Sequence, residues 1–364
     1  LTHLRDTHAE GGPAPFAVSP NGNHGYVGLR SSNKIVSYDI DNSDGTLSFT
    51  GTIDLESDPC YLSVDATGRY LLSAYYAAGH IATHRIDNGG MVSTTPVEWI
   101  GTRQKAHCAI PDPSNQFVFL PHVGESNAIY QFKFNELTGA LTPNSPAIIE
   151  PTVGDGPRHY DYHPNADFVY FDNEQGCSVT AYRFETRTGT LEPLQTVSTL
   201  PDGWSGDNSC AQIHMAPSGR FLYSSNRGHN SISIFAVEPV TGRLTTTGQK
   251  PTVAIPRAFN IDPTGTDIWE FSIVDGSAAT PTVKHANNGT GNTALTAVIL
   301  GQHGCVDNCR LAASGDTAVL AAGANALTLV TMTETGSNTG VFESFDTNGN
   351  GQFETEAEAA ADKK

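Results

Sequence analysis

The fold is decided by residues 217–237, which read PSGRFLYSSNRGHNSISIFAV. A Pro-Ser-Gly turn precedes a short aromatic and aliphatic run, a polar break follows, and the second run alternates Ser with Ile before ending in Phe-Ala-Val. Two short β-rich runs bounded by turn residues are typical of a β-hairpin. A Thr-Gly-x-Leu tag at 241–244 then introduces a further strand, and the same tag recurs at 138–141 and 188–191. The sequence therefore predicts a unit of four antiparallel strands.

The turn signal recurs seven times along the chain at intervals of 46 to 53 residues. The seven turns begin at Pro20, Ala66, Pro113, Pro164, Pro217, Pro263 and Ala313. A steady period of this length indicates a repeat array, and it slightly exceeds the ~40–45 residues of WD-type blades. No helical periodicity interrupts it. The sequence therefore predicts an all-β fold, a seven-bladed β-propeller of four-stranded antiparallel blades, over residues 1–333.

The two ends of the chain depart from the simple repeat. Residues 1–4 resemble the fourth-strand pattern at 191–194, so we expect the N-terminal strand to be the outer strand of blade seven and to close the ring. Residues 334–364 are predicted to form an acidic tail outside the propeller. The stretch 346–351 matches the opening of a calcium loop, but Ala357 stands where such a loop has a bidentate Glu, which favours a solvated tail.

The composition of the chain limits the classes of molecule that the protein can bind. The chain has 20 Lys and Arg against 38 Asp and Glu, a net charge of -18 at pH 7, which argues against nucleic acid and against anionic membrane surfaces. No apolar run approaches the roughly 20 residues that span a bilayer. A monomer is expected. The chain begins at Leu1 rather than Met, and a periplasmic or secreted location is favoured over a cytoplasmic one.

The six cysteines suit three disulfides and six buried thiols equally well. Three pairings are compatible with the repeat or with proximity along the chain. These pairings are Cys60 with Cys108, Cys177 with Cys210, and Cys305 with Cys309.

Two positions of the repeat collect chemically active residues. Six residues before each turn, at the predicted start of the innermost strand, the chain carries Ala14, Cys60, His107, Arg158, Ala211, Arg257 and Asp307. Ten residues after the first turn residue, at the predicted end of the second strand, it carries Arg30, Tyr76, Val123, Glu174, Arg227, Ile273 and Gly323. The first two strands of a blade are antiparallel, so both positions open on the same mouth of the central channel.

Four arginines at these positions are conspicuous in a chain so poor in basic residues, and guanidinium groups in a concave site suit a carboxylate or phosphate ligand. His107 is a candidate acid–base group near neutral pH, with Glu174 to orient it or to act beside it. Candidate catalytic residues are therefore His107, Glu174, Arg158 and Arg227, and candidate substrate contacts are Arg257, Arg30, Tyr76 and Asp307. Five other histidines are interpreted as structural or peripheral: His122, His159, His163, His214 and His229. No motif requires a cofactor, and no cysteine and histidine cluster has zinc spacing.

Several of these motifs resemble the lactonase family of seven-bladed propellers, which includes the propeller-type 6-phosphogluconolactonases and the carboxy-cis,cis-muconate cyclase. They are Gly156-Pro157-Arg158-His159, Asn173-Glu174, and the stretch from Ile213 to Ile232. The resemblance covers about residues 1–333 and implies a lactone-hydrolysing or lactonising activity. In the cyclase, a His, a Glu and two Arg at the channel mouth are the proposed active-site groups, which correspond by motif to His107, Glu174, Arg158 and Arg227. Gln212 departs from the family, in which many members carry an acidic residue before Ile-His.

Three functions fit these features. The leading hypothesis is hydrolysis of a sugar-acid lactone, in which His107 activates water. The second is a lactonising cyclase or isomerase that acts on an unsaturated dicarboxylate with the same groups. The third is a propeller that binds a ligand at this mouth without catalysis, since the fold hosts many functions.

Overall fold

The computed structural model describes residues 2–9, 11–252 and 254–261, together with the strand backbones at 267–272, 282–287, 295–299, 317–318 and 326–332. The strands of these residues form seven separate antiparallel sheets. In blades one to five, strand order within the sheet follows the order along the chain. This is the arrangement of a propeller, in which each blade is a four-stranded meander.

Strand β1 (Thr2–His8) precedes the first blade. Blade one comprises β2 (Pro13–Val18), β3 (His24–Leu29), β4 (Lys34–Asp41) and β5 (Thr46–Asp54). Blade two comprises β6 (Tyr61–Val64), β7 (Tyr70–Tyr75), β8 (His80–Ile86) and β9 (Val92–Gly101). Blade three comprises β10 (Ile110–Pro111), β11 (Phe117–His122), β12 (Ala128–Phe134) and β13 (Leu141–Ile149), with a 3₁₀ turn at Gly124–Ser126.

Blade four comprises β14 (Pro157–Tyr162), β15 (Phe168–Asn173), β16 (Ser178–Glu185) and β17 (Thr190–Ser198). Blade five comprises β18 (Cys210–Met215), β19 (Phe221–Asn226), β20 (Ser231–Val237) and β21 (Leu244–Pro251). The sixth sheet contains β22 (Pro256–Ile261), β23 (Asp267–Ser272), β24 (Thr282–Asn287) and β26 (Thr317–Ala318). The seventh contains β25 (Leu295–Ile299), β27 (Ala326–Met332) and β1.

The first five predicted turns each lie between the first and second strands of a blade, as the repeat predicted. Asp112 shows how such a turn is held. Its carboxylate accepts hydrogen bonds from the backbone N–H groups of Ser114, Gln116 and Phe117. Asp65 makes the equivalent contacts in blade two. The short side chain satisfies backbone donors that the tight reversal leaves unpaired.

The core lies between neighbouring blades rather than within one sheet. The second strands β7, β11 and β15 are buried along their whole length. One cluster packs Leu72 of blade two against Val118 of blade three, and another packs Phe119 of blade three against Phe171 of blade four. Burial of both faces of these strands is the main stabilisation that joins the blades into a ring.

The Thr-Gly tags form a second kind of contact between blades. Gly189 has a φ of 70°, and a Cβ atom there would lie 2.0 Å from the ring of Phe117 in the preceding blade. Only glycine fits both the left-handed backbone and the close approach. The same glycine-on-aromatic contact joins Gly139 to Tyr70 and Gly242 to Phe168.

The N-terminal strand pairs with a strand from the other end of the chain. β1 runs antiparallel to β27, from Thr2 opposite Thr331 to His8 opposite Ala326, and lies at an edge of its sheet. The prediction that the N-terminal strand closes the last blade is therefore confirmed. The last two predicted turns, the acidic tail and the calcium-loop-like stretch lie outside the described residues. Among the described residues, no helix is long and apolar enough to cross a membrane.

The innermost strand of blade three is shorter than expected. β10 covers Ile110–Pro111 alone, so His107 lies before the strand rather than at its start. Ala106 forms an isolated bridge with His122, and the His107 N–H donates to the Pro121 carbonyl at 3.0 Å. The Tyr160 hydroxyl of blade four contacts the backbone N–H and carbonyl of Ile110 at 2.7 Å and the carbonyl of Phe119 at 2.9 Å, and Pro121 has no N–H to offer, so regular pairing is interrupted here.

A candidate active site at the channel mouth

The first strand of blade four begins with a β-bulge that carries two polar side chains. Its register against β15 shifts between Pro157 and Tyr160, which leaves Arg158 and His159 outside the regular ladder. The N–H of His159 is satisfied by the Asp172 carboxylate, whose Oδ1 lies 2.7 Å away. A bulge breaks the alternation of side chains between the two faces of a strand and re-aims them. Both residues are buried, and their side chains contact each other.

Blade five has the same kind of β-bulge in its first strand. The register of its first strand shifts between Cys210 and Ile213, and the Gln212 N–H donates to Ser225 Oγ at 3.0 Å. Ser225 stands at the position of Asp172 in the repeat. The bulges are therefore a feature of the repeat, and they place Gln212 beside the bulge of the preceding blade.

Glu174 and Arg227, which follow second strands, form an ion-pair cluster with Arg158 at the start of the first strand of blade four. Glu174 Oε2 lies 2.8 Å from Arg158 Nε and 3.0 Å from Arg227 Nη2. The Arg158 side chain is 3% exposed, and its Nη1 donates to the Ala211 carbonyl. Arg227 Nη2 donates to the Cys210 carbonyl at 2.8 Å. Arg158 Nε makes no aligned hydrogen bond despite its short distance to Glu174, and Arg227 Nη2 donates to the Cys210 carbonyl, so Glu174 holds the two guanidinium groups by charge more than by aligned hydrogen bonds.

Arg257 adds a third guanidinium to the same region. Burial, followed by repulsion from Arg158 and Arg227, lowers its pKa to about 10. Within the part of the chain that the structure describes, Nε of Arg257 and Nε of Arg227 are buried without a hydrogen-bond acceptor. Three cations face the carboxylate of Glu174 and the Asp172 carboxyl group, whose own charge is reduced by burial, so the site is locally positive in an acidic protein. An anion would supply the missing acceptors.

His107 lies beside this cluster as a neutral imidazole. Burial, with the positive charge of Arg158 and then His159, holds its pKa well below 6.5. Its Nδ1 lies 3.1 Å from Nε2 of His159, and the ring of Tyr76 packs edge-on at 5.9 Å between centroids. A neutral ring can accept a proton from a substrate or water at neutral pH.

Asp172 is a buried acid beneath the cluster. Burial raises its pKa to about 7, although the charge of Arg158 opposes the shift. Its Oδ2 has no hydrogen-bond partner among the described residues. The carboxyl group therefore changes charge near neutral pH.

The structure brings six of the predicted residues together: His107, Glu174, Arg158, Arg227, Arg257 and Tyr76. Arg30 lies close enough to affect the pKa of Arg257, but its Nε and Nη2 bind Asp58 at 3.0 and 2.6 Å. Asp307 lies outside the described residues. The contact partner of His107 differs from the expectation, since His159 rather than Glu174 bonds its Nδ1. Catalytic and binding roles for these residues stay predictions.

His159 and Gln212 are the residues that the sequence reasoning missed. His159 was interpreted as structural or peripheral, yet it contacts His107, Arg158 and Gln212. His214 likewise reaches the mouth, because its Nε2 lies 2.9 Å from Gln212 Nε2. The signals in the sequence were their place next to the singled-out position of the repeat, the family motif that contains His159 and the departure from the family at Gln212. Regular strand alternation would direct both side chains to the opposite face from that position.

The described cysteines form neither disulfides nor a metal site. Cys60, Cys108, Cys177 and Cys210 are free thiols, so the first two pairings considered above are absent, and the third lies outside the described residues. Burial raises the pKa of Cys60 to about 11 and that of Cys108 well above 9, which disfavours a thiolate nucleophile. Among the described residues, no group of three or more His, Cys, Asp or Glu is placed to hold a metal ion.

Known proteins resemble this chain over most of its length. A 6-phosphogluconolactonase of Pectobacterium carotovorum is 36% identical over 295 residues, which are 80% of this chain and 86% of that protein. A 6-phosphogluconolactonase of Yersinia pestis is 36% identical over 265 residues, 73% of this chain and 78% of that protein.

Solved structures agree with these relatives. A candidate 6-phosphogluconolactonase of Bacteroides fragilis superposes with a TM-score of 0.65 at 27% identity, covering 71% of this chain and 76% of that one. A periplasmic gluconolactonase of Pseudomonas aeruginosa superposes with a TM-score of 0.68 at 24% identity, covering 74% and 84%, and supports the fold alone. The family model for the lactonase seven-bladed β-propeller matches residues 1–306. The chain therefore belongs to the lactonase family of seven-bladed β-propellers.

Proposed function

We propose that this protein hydrolyses a sugar-acid lactone at the channel mouth, and that its substrate is a phosphorylated sugar lactone. The observation that carries the proposal is the cluster of Arg158, Glu174 and Arg227 beside the neutral ring of His107. The cluster has an excess of positive charge for the anionic group, and His107 is a base for the water. The relatives at 36% identity, both 6-phosphogluconolactonases, support the substrate class.

The reaction follows from these positions. His107 Nε2 removes a proton from water, whose oxygen attacks the lactone carbonyl carbon. The negative charge that develops on the carbonyl oxygen is stabilised by Arg227, and Arg257 holds the anionic group of the substrate. The ring C–O bond then breaks, and the ring oxygen takes the proton from His107 as it becomes a hydroxyl group. The product is an open-chain aldonic acid, which releases its carboxyl proton to solvent and leaves as the aldonate.

Glu174 and Arg158 act in this scheme by holding the site. Glu174 keeps both arginines in place and limits their mutual repulsion. Arg158 is 3% exposed and engaged with Glu174 and the Ala211 carbonyl, so it supplies positive charge to the site without direct access to solvent. Tyr76 packs against the ring of His107 and restricts its rotation.

Replacement of His107 tests the proposal. His107→Gln should lower kcat for hydrolysis of 6-phosphogluconolactone by about 10²- to 10⁴-fold, the usual contribution of a general base, with an unchanged circular dichroism spectrum. His24→Gln is the matched control, because His24 is a partly exposed histidine of blade one that pairs with Asp39. A His107→Gln enzyme with wild-type kcat would exclude His107 as the base. Conversion of an unsaturated dicarboxylate to a lactone, with no lactone hydrolysis, would instead support a lactonising cyclase.

A further inference from the structure

A chain of side-chain hydrogen bonds links blade three to blade four and blade four to blade five. His107 Nδ1 lies 3.1 Å from His159 Nε2. His159 Nδ1 lies 2.9 Å from Gln212 Oε1. Gln212 Nε2 lies 2.9 Å from His214 Nε2. Each link joins residues from the bulged or broken starts of neighbouring innermost strands, apart from His214, which follows Gln212 by two residues.

The guanidinium of Arg158 gives this chain a direction. It can only donate, and its Nη1 lies 3.3 Å from His159 Nε2, so that nitrogen is an acceptor and the proton of His159 is on Nδ1, where the amide oxygen of Gln212 accepts it. His107 must donate from Nδ1 to that acceptor, which leaves Nε2 of His107 without a proton. On the other side the amide nitrogen of Gln212 donates to Nε2 of His214. The proton of His214 is then on Nδ1, which lies 3.6 Å from Asp161 Oδ2.

We infer that Gln212 and His159 are positioning residues that fix the tautomer of His107, so that its unprotonated Nε2 is presented to the attacking water. The inference rests on the proposed function and extends it by two residues that do not touch the substrate. The hydrogen bond at one ring nitrogen of a histidine determines which nitrogen is free for chemistry.

The surroundings keep both rings neutral, as this role requires. Burial and the charge of Arg158 hold the pKa of His159 well below 6.5. Arg158 Nη1 lies 3.3 Å from His159 Nε2 and donates to the same lone pair as His107. A proton on that nitrogen would therefore disrupt two contacts. Among the described residues, the other titratable and charged groups near the two rings are Cys60, Tyr61, Tyr76, Asp161, Asp172, Glu174, His214 and Arg257.

Two variants of Gln212 separate positioning from structural support. Gln212→Leu removes the acceptor, so kcat should fall about 10- to 100-fold while KM changes less than about twofold. Gln212→Glu keeps an acceptor and adds a negative charge that favours protonated His159. The acid limb of the kcat profile should then move to higher pH by about one to three units. Gln195→Leu is the matched control, because Gln195 exchanges hydrogen bonds with the Leu244 backbone between blades four and five. It should lower stability and leave kcat and the acid limb unchanged.

The tautomer can be measured without turnover. Long-range ¹H–¹⁵N correlation spectra of the wild-type protein at pH 7 should show His107 protonated at Nδ1, and the Gln212→Leu spectra should show loss of this preference. Protonation of wild-type His107 at Nε2 would overturn the inference, as would Gln212 variants with unchanged kcat and acid limb. If His107→Gln is inactive while these variants behave as wild type, the positioning role alone fails. If His107→Gln is fully active, the proposed function of His107 fails whatever the tautomer.

Discussion

Among the described residues, Arg30, Arg158 and Arg227 have carboxylate ion pairs and Arg257 has none, and burial beside Arg158 and Arg227 lowers the pKa of Arg257. An anionic substrate group would stabilise its charged form. Arg257→Gln should therefore raise KM for 6-phosphogluconolactone by about 10- to 100-fold, equivalent to one charged hydrogen bond, and change KM for unphosphorylated gluconolactone much less. Lys34→Gln makes the same change in net charge at an exposed pair with Asp54. Equal effects of Arg257→Gln on both lactones would rule out a contact with the phosphate.

Asp172 links stability to pH. Its pKa is raised from 3.8 to about 7, so the folded protein binds a proton more tightly than the unfolded chain. The stability from this group is complete below about pH 4 and is lost as pH rises through 7. Asp172→Asn retains the Oδ1 acceptor for the His159 N–H but does not titrate.

Urea unfolding of the two proteins should show this difference. The unfolding free energy of Asp172→Asn relative to wild type should increase between pH 5 and pH 8, by roughly 2–4 kcal/mol. Asp172→Ala should lose about 1–3 kcal/mol at pH 5, because it leaves the His159 N–H unsatisfied. Parallel pH dependence of wild type and Asp172→Asn would show that Asp172 does not titrate near neutrality.

At the residue scale, the repeat register predicted much of the candidate site. It singled out His107, Arg158 and Glu174 because residues at equivalent positions of the repeat occupy the same location in each blade. It missed His159 and Gln212, because strict alternation assigns neighbours to opposite faces. The bulges that re-aim them depend on pairing with the second strand, which a single segment of sequence does not reveal.

At the scale of the element, local chemistry predicted the hairpins well. Turns held by a single side chain, such as that of Asp112, need only a few adjacent residues. The shortness of β10 was missed, since it depends on the Tyr160 hydroxyl of blade four and on Pro121 in the facing strand. A turn or strand can therefore be predicted where adjacent residues in the sequence determine it.

The tag glycines give a prediction at this scale. Gly189→Ala should destabilise the protein by about 2 kcal/mol or more, because it adds a Cβ at 2.0 Å from the Phe117 ring and strains a backbone with φ of 70°. Gly203→Ala is the matched control, with a φ of 80° and no atom within 4 Å of the added Cβ. The control measures the cost of the backbone alone. Equal losses in melting temperature for the two variants would show that the contact between blades contributes nothing.

At the scale of the whole molecule, the fold was predictable because seven similar units must bury the same faces. The family match over residues 1–306 agrees with that count. Charge is distributed unevenly: the chain carries a net charge of -18, yet the described mouth combines three guanidinium groups with Glu174. An anionic substrate is thus repelled by most of the surface and attracted at one place, which favours binding at the channel.

Closure of the ring by β1 can be tested by deletion of residues 1–8. This strand pairs with β27 from Thr2 to His8. Without it, β27 would have no hydrogen-bonded partner on one side. The deletion should lower the melting temperature by about 5 °C or more and reduce lactone turnover in parallel, because the mouth is built from side chains of several blades.

Thr7→Pro, which removes one backbone donor from β1, should have a smaller effect in the same direction. Deletion of 334–364, predicted to lie outside the propeller, is the control and should leave both measurements unchanged. A deletion of 1–8 that melts as wild type would mean that β1 does not stabilise the ring.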